Sequence, residues 1–414
     1  MGARAANGTH ASLTESKSAS RFRYASVILK LLKNLPLAFL ACVFLQLTWP
    51  PATVVAQKKT ADRPGGNAQL ANAARDHEIA SQFAPVFHQS LGDQRRHDYI
   101  TNFDFDGDWR GDNNWDNADN TRYPLRAYVY YAVSETPTHF FIHYAVFHPR
   151  DYKGSGTGGR ILSEIIREGV RHGGRYDPTG LSGDAVLAHE NDMEGCLVVA
   201  AKAGAELREA RVVFVETMAH DRFLKYVPDA AAGDKRAFDE VRLDAGRPEL
   251  YVEAKGHGVL AFDGGEKQRQ SNGKLVYKFT GRADDPEKSA SASAEIGYAL
   301  LPLSTTLWPR ARGGVNQTFG TTYHYGARSF STAHNPARRM NVNLGALGAT
   351  FRGNKGAPNA ARPPWGWFDR GDRGGARGEW FFDPAVTVKR HFKPGGDFSV
   401  AYTHAPFLGV SRKL

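Results

Sequence analysis

Runs of aromatic and β-branched residues alternate with short polar turns through the middle of the chain. The strongest runs cover residues 125–133 and 138–147 and are joined by the polar residues 134–137. Two such runs with a short turn between them predict a β-hairpin. Shorter runs bounded by turn residues predict strands at 195–201, 211–216, 249–253, 259–262, 275–280 and 296–301. Many short strands at this spacing favour a mainly β fold, an antiparallel β-sandwich.

Helical periodicity interrupts the β pattern at three places. We expect one helix at residues 69–82, which Pro85 ends. A second is predicted at about 160–172, inside a long insertion (152–188) between strands, and a weaker pattern covers 235–243. The apolar positions of the second helix are Ile161, Leu162, Ile165, Ile166 and Val170, followed by Gly173 and Gly174.

The last third of the chain, from about Gly313, is rich in Gly, Arg, Pro, Trp and His. Its turn residues predict loops, but it carries too many aromatic residues to be disordered. We therefore expect long loops that wrap the sandwich.

The first 56 residues have the order of a secretory signal. Six Lys or Arg and one acid precede an apolar run at 35–47, and Val54-Val55-Ala56 supplies small residues for cleavage. The run has about 13 residues, fewer than the ~20 that a membrane-spanning helix needs. The prediction is a signal peptide at 1–56, a flexible tether at 57–67, and one sandwich domain at 68–414, secreted or periplasmic and with no transmembrane segment in the mature chain.

Charge and cysteine content narrow the possible partners. Cleavage would remove six of the 53 basic and one of the 43 acidic residues, leaving an excess of five positive charges without a long basic block. Nucleic-acid binding therefore has little support. Cys196 would be the one cysteine left, so a core rather than disulfides must stabilise the domain, with Cys196 itself a buried thiol.

Two clusters of acidic residues could hold cations. The first has alternating aspartates around a glycine, which suits Ca²⁺, although a solvated Asp/Asn turn explains it equally well. Its candidate ligands are Asp104, Asp106, Asp108 and Asp112.

The second cluster combines Asp151 with His189, Asp192 and Glu194 just before an apolar strand. Asp192 and Glu194 are two residues apart and share one face of a strand, whereas His189 has the wrong parity and must reach over from a loop or bulge. Three carboxylates and one imidazole favour Mg²⁺, Ca²⁺ or Mn²⁺. The alternative is a polar loop beside an ion-paired edge strand.

The segments FHPRD (147–151) and AHENDMEG (188–195) resemble the paired motifs of the necrosis- and ethylene-inducing peptide-like proteins. That family implies a secreted β-sandwich related to actinoporins and lectins, with a divalent cation at a membrane-glycolipid-binding face. By position the resemblance implies Asp151, His189, Asp192 and Glu194 as ligands. Residues 250–258 also resemble the vacuolar-sorting-protein-62-like family.

This chain departs from the first family at several positions. Asn191 replaces the second His of the motif and Met193 its Trp, the insertion 152–188 separates the two motifs, and no cysteine pair remains for the family's disulfide. The changes retain the proposed ligands but put cytolytic activity in doubt.

Three functions remain open from the sequence. One is a metal-bearing binding protein for a glycan or lipid head group, supported by Trp365, Trp367 and Tyr325, which we expect to be exposed. Another is a secreted metal-dependent hydrolase, in which His257 or Glu190 moves the proton. The third is a non-catalytic protein whose acids only fix loops. No nucleophile, phosphate-loop or dinucleotide motif is present in the sequence.

Overall fold

The computed structural model describes residues 66–151, 189–228, 238–265, 271–289, 293–356, 359–369, 377–392 and 396–413. All of them belong to one compact unit, Asp62–Leu414. The predicted signal peptide, most of the predicted tether, and the insertion 152–188 with its helix at 160–172 lie outside the described residues.

Strands dominate the described part of the chain, so the mainly β prediction is confirmed. They are β1 (Val86–Ser90), β2 (Tyr128–Glu135), β3 (His139–Asp151), β4 (His189–Ala201), β5 (Arg211–Ala219), β6 (Arg222–Pro228), β7 (Asp239–Val241), β8 (Leu243–Asp244), β9 (Arg247–Val252), β10 (Val259–Ala261), β11 (Lys274–Phe279), β12 (Ser293–Pro302), β13 (Phe319–His324), β14 (Ala327–Thr332), β15 (Asn335–Asn343), β16 (Ala346–Phe351) and β17 (Ala401–Tyr402).

The described α-helices are few, and one of them is long. They are α1 (Gly66–Gln82), α2 (Asn114–Asn117), α3 (Leu307–Ala311), α4 (Glu379–Phe382) and α5 (Pro384–His391). Short 3₁₀ helices lie at Arg95–Asp98, Leu207–Glu209, Pro286–Lys288, Pro364–Gly366 and Pro406–Leu408. None of the helices in the described ranges combines the length and the apolar character that crossing a bilayer demands.

Twelve of the described strands form one mixed sheet, which corrects the prediction of a purely antiparallel sandwich. The strand order is β10-β9-β1-β11-β12-β2-β3-β4-β5-β6-β7, with β8 attached to β9. The pairs β1 with β9, β11 with β12, β12 with β2 and β6 with β7 are parallel. Strands β5 and β7 also contact β10 and β9 respectively, so the two ends of the sheet approach each other as in a nearly closed barrel.

The predicted hairpin forms the centre of this sheet. Strands β2 and β3 pair antiparallel across the turn, and β3 pairs antiparallel with β4 along its length. Every residue of β3 is buried. A Cβ at Gly195 would lie 2.0 Å from the carbonyl oxygen of Tyr144, so glycine permits β4 to pack this closely against β3. The other strands predicted up to residue 301 are also confirmed, with bounds shifted by a few residues.

One prediction about the remaining elements was wrong. The expected helix at 235–243 is extended from Asp239, where β7 and β8 form, because β7 pairs with β6 and β8 pairs with β9. Helix α1 begins at Gly66, within the last two residues of the expected tether, and ends at Gln82 as the helix expected at 69–82 does.

The C-terminal third is more regular than the loops we expected. Strands β13 and β16 form a two-stranded sheet, and β15, β14 and β17 form a three-stranded one. Their aromatic residues join the core: Trp365, Trp367 and Trp380 are all nearly fully buried. Burial of large rings against residues far away in sequence gives these short elements a fixed position.

Candidate functional site

An acidic cleft lies where β3 ends and β4 begins. Asp151 closes β3 and pairs with His189, the first residue of β4. The cleft has a volume of about 60 Å³. It is lined by Asp151, His189, Asp192, Met193, Glu194, Met218, His220, Asp221, Ala360, Ala361, Arg362 and Trp367. The structure therefore brings all four predicted ligands to one cavity.

Asn191 explains how His189 reaches the same side as the two acids. Its φ of 60° is left-handed, a conformation that asparagine tolerates better than most residues and that breaks the regular alternation of the strand. Its Nδ2 donates to the carbonyl oxygens of Gly111 (2.8 Å) and Arg352 (2.9 Å), and its Oδ1 accepts from Nδ2 of Asn114 (2.7 Å). This asparagine thus holds the entry of β4 against two other segments.

Glu194 is an acid of the cleft that is nearly fully buried. It is 7% exposed, and its Oε1 accepts a hydrogen bond from the backbone N–H of His220 at 3.0 Å. Its Oε2 is buried and meets no hydrogen-bond partner among the described residues. Burial first, and then the charge of Asp192, raise the pKa of Glu194 well above its usual range. A buried, unsatisfied oxygen of this kind is costly unless something outside the chain binds it.

His189 presents one ring nitrogen to an acid. Its Nδ1 lies 2.7 Å from the carbonyl oxygen of Asn191, and a carbonyl can only accept, so Nδ1 carries the proton. Its Nε2 lies 3.4 Å from Oδ2 of Asp151. With the proton on Nδ1, the lone pair of Nε2 is the one that could bind a cation. A backbone carbonyl on Nδ1 is also what orients histidines whose Nε2 binds a metal.

A buried imidazolium lies beneath Asp192. Nδ1 of His257 is 2.9 Å from Oδ2 of Asp192, and its Nε2 is 3.3 Å from Oδ1 of Asp98. Burial alone lowers the pKa of His257, but the hydrogen bond to Asp192 and the nearby carboxylate of Asp98 outweigh it and raise the pKa to about 10. The ring stacks on His148 at 3.7 Å between centroids. Burial and the charge of His257 hold the pKa of His148 well below its usual range, so the stack has one charged member.

The rim of the cleft carries paired polar side chains that the sequence pattern did not reveal. Arg362 Nη1 contacts Oδ1 of Asp221 at 2.8 Å, and His220 Nε2 contacts Oε2 of Glu253 at 2.6 Å. Neither pair is close in sequence, so spacing offered no signal for them. The one local hint was the turn between β5 and β6, in which His220 and Asp221 both adopt positive φ.

No three His, Cys, Asp or Glu side chains in the described ranges are arranged closely enough to form a ready metal site. In the cleft, Asp192 is turned toward His257 and Asp151 toward His189. Joint coordination of one ion would therefore require side-chain rotation, with Glu194 supplying the oxygen that already lacks a partner.

The aspartates of the first cluster are engaged within their own loop and with its neighbours. Asp104 accepts from Asn102, Asp106 from Asn117, and Asp108 from Asn113, while Asp112 forms ion pairs with Arg110 and Arg352. These contacts show an Asp/Asn turn whose carboxylates are bound by neighbouring side chains. The calcium prediction at this loop gains no support from them.

The two candidate proton carriers are also engaged. Glu190 is 2% exposed and does not line the cleft; it accepts from the backbone N–H groups of Trp115, Asn354 and Lys355. Burial raises the pKa of Glu190. His257 is fully buried behind Asp192. Neither side chain faces the space in which a substrate would bind.

The aromatic residues expected on the surface are buried, which corrects that expectation. Trp365 and Trp367 are 0% and 1% exposed, and Tyr325 is 6% exposed. Trp365 Nε1 donates to the carbonyl oxygen of Gly348 at 2.7 Å, and Trp367 Nε1 to that of Met193 at 3.0 Å. These rings support the core and the cleft floor and cannot stack on a ligand. Cys196, expected to be buried, is fully buried with a free thiol.

Comparison with known proteins gives a faint likeness. Neither a family model nor a curated protein matches the sequence. Similar solved structures include a toxin fold for microbial attack and plant defense (15% identity, 45% of this chain and 67% of that chain, TM-score 0.24) and NLPPya in complex with mannosamine (16%, 46% and 68%, TM-score 0.24). Another is Necrosis and Ethylene inducing Protein 2 from the causal agent of cocoa's Witches Broom disease (13%, 53% and 79%, TM-score 0.24).

These neighbours include proteins of the family that the two motifs resemble, whereas the likeness to the vacuolar-sorting-protein-62-like family gains no support. At this TM-score the likeness carries no argument about what the present chain does. The fold and the cleft define a mainly β protein with a partly open acidic site.

Proposed function

We propose that the acidic cleft binds a divalent cation, and that the bound ion holds a hydroxyl or phosphate oxygen of a glycan or lipid head group. The observation that carries the proposal is Glu194: its Oε2 is buried without a partner among the described residues, in a cleft that Asp151, Asp192 and His189 also line. A cation would satisfy that oxygen and relieve the repulsion between neighbouring carboxylates.

The donor set decides the type of ion. Three carboxylates and one imidazole make an oxygen-rich site, which suits Ca²⁺, Mg²⁺ or Mn²⁺ better than a structural zinc ion. His189 would bind through Nε2, since Nδ1 is committed to the carbonyl of Asn191.

The size of the cleft limits what else can enter. A volume of about 60 Å³ is small beside the ~300–1,000 Å³ of a typical ligand pocket, so it suits an ion with a few waters better than a sugar ring. A glycan or head group would therefore meet the ion at the mouth of the cleft, beside Arg362. The hydrolase alternative is weaker, because Glu190 and His257 both face away from this mouth. Export on the predicted signal remains a prediction.

The first experiment measures thermal unfolding of the chelator-treated full chain with CaCl₂, MgCl₂ or MnCl₂. The wild type should be stabilised by about 2.7 kcal/mol when the free ion exceeds its Kd a hundredfold. Glu194→Gln should lose this gain, while its stability in chelator stays equal to or above wild type, because a neutral amide avoids the desolvated charge. Asp108→Asn, in the aspartate loop, is the matched control and should respond to the ion like wild type.

A melting temperature that is the same with ion and with chelator would refute the cation site. An ion response lost in Asp108→Asn but kept in Glu194→Gln would move the site to the aspartate loop. With the ion established, calorimetric titration with glycerol 3-phosphate and methyl α-glucoside, in metal and in chelator, tests the second half of the proposal. Binding of either probe that is equal in metal and in chelator would contradict an ion-mediated contact.

A further inference from the structure

A second cavity, much larger than the acidic cleft, lies apart from it. It is an open groove of about 820 Å³ between α1, the 3₁₀ helix Leu207–Glu209, the start of β9 and the end of β11. The cleft lies at the first residue of β4, whereas Ala205 to Arg208, which line the groove, follow the last one. Since β4 has 13 residues at ~3.3 Å each, the two cavities lie at opposite ends of a strand about 40 Å long.

The groove has the size of a small-molecule site, which typically measures ~300–1,000 Å³. Its scaffold is rigid: the opposite side of α1 buries Ile79 and Ala80 completely, and Tyr144 Oη donates to the carbonyl oxygen of Ala80 at 2.6 Å. The groove therefore needs little ordering to accept a ligand.

The charged groups of the groove are three arginines, Arg75, Arg208 and Arg247, and two glutamates, Glu78 and Glu206. Arg247 donates one hydrogen bond, from Nη2 to the carbonyl oxygen of Ser81 at 3.1 Å, and keeps further donors available. Arg208 is exposed on its short helix. The charge of Arg75 is offset by Glu78 at 2.7 Å. Arg208 and Arg247 are thus the two cations best placed to meet an anion.

The apolar part of the groove is an aromatic ring. Phe279 is partly exposed, and the guanidinium carbon of Arg247 lies 5.7 Å from the centre of its ring. His77 approaches the same ring edge-on, with 6.3 Å between the two centroids. A partly exposed ring beside a guanidinium group suits a flat ligand with a charged substituent.

We propose that this groove binds a small organic anion that carries a ring. Its carboxylate, sulfate or phosphate group is held by Arg208 and Arg247, and its ring lies against Phe279. The site is independent of the cation cleft, so the two proposals can be confirmed or refuted separately.

The test uses the full chain and two fluorescent probes of matched ring size, the anionic 8-anilinonaphthalene-1-sulfonate and the uncharged N-phenyl-1-naphthylamine. The sulfonate should bind saturably at one site, and Arg208→Gln and Arg247→Gln should each raise its Kd about tenfold, the loss expected for one charged hydrogen bond. Chelator and Glu194→Gln should leave the Kd unchanged.

Arg242→Gln is the matched control. Arg242 also lies over a phenylalanine, 5.8 Å from the ring centre of Phe262, and pairs with an acid, Glu249, but it does not line the groove. Its removal should not change the Kd. Three results would overturn the proposal. They are the absence of saturable sulfonate binding, an uncharged probe that binds as tightly as the sulfonate, and an Arg242 variant whose Kd for the sulfonate rises as much as that of the Arg247 variant. If Arg247→Gln unfolds the chain, the Kd of the Arg208→Gln variant decides the test, because Arg208 is exposed.

Discussion

Oδ2 of Asp192 and Nδ1 of His257 are 2.9 Å apart, although the two residues are separated by 65 positions in the chain. The loop between β9 and β10 delivers the imidazole, with His257 itself at a φ of 52°. Asp98 contacts the other side of the ring, so a buried cation is enclosed by two acids behind the cleft. This contact fixes the orientation of one predicted ligand and neutralises part of the cluster's charge.

We expect His257→Gln to lower the free energy of unfolding at pH 7 by about 3–5 kcal/mol, because removal of the cation leaves two buried carboxylates facing each other. Urea unfolding followed by circular dichroism measures the change. Asp98→Asn should recover part of the loss when it is combined with His257→Gln, since one of the two charges is then removed. A loss below about 1 kcal/mol, the size typical of an exposed pair, would contradict a buried imidazolium here.

Asn191→Ala should destabilise the protein by about 3 kcal/mol. The change removes three hydrogen bonds to two distant segments and places alanine at a left-handed φ of 60°. Chemical denaturation provides the measurement. Asn341→Ala on the exposed strand β15 is the control and should change stability by less than ~0.5 kcal/mol. Equal effects of the two substitutions would show that Asn191 does not hold the entry of β4.

The third prediction concerns pH and His143, which is fully enclosed and whose Nε2 donates to the carbonyl oxygen of Trp380 at 3.0 Å. Burial lowers the pKa of His143 to about 3, against ~6.5 for a free histidine. Between these two pKa values, the unfolded chain therefore binds a proton at His143 that the folded chain does not bind. The stability contributed by the neutral ring is complete above pH 6.5 and is lost as the pH falls toward 3.

Between pH 6.5 and 4, we expect this residue to account for a loss of about 3 kcal/mol. His143→Gln keeps a donor but has no titrating group, so its unfolding free energy should fall less steeply over the same interval. Denaturant unfolding of both proteins at several pH values tests this. Parallel pH profiles for the variant and the wild type would refute the assignment of a buried neutral histidine.

Local patterns were sufficient for most elements of the fold. Residues 125–147 have the two apolar runs and the polar turn of a hairpin. Residues 69–82 have a helical pattern that ends before Pro85. Both could be predicted because strand and helix periodicity depend on neighbouring residues. The pairing of strands is not local. The segment 238–244 is extended because β7 meets β6 and β8 meets β9. The parallel pairs of the sheet arise in the same way from long connections that no short window of sequence contains.

The sequence by itself determined the chemistry available at the cleft: Asp192 and Glu194 two positions apart, and His189 out of step with them. Only the tertiary structure decided how those groups are used. Asn191 turns the strand because Gly111, Asn114 and Arg352 surround its amide, and Trp365 and Trp367 leave the surface because distant segments cover their rings. Side-chain type is written residue by residue, whereas burial and hydrogen-bond partners depend on contacts between segments far apart in the chain. Those contacts exist only in the folded structure.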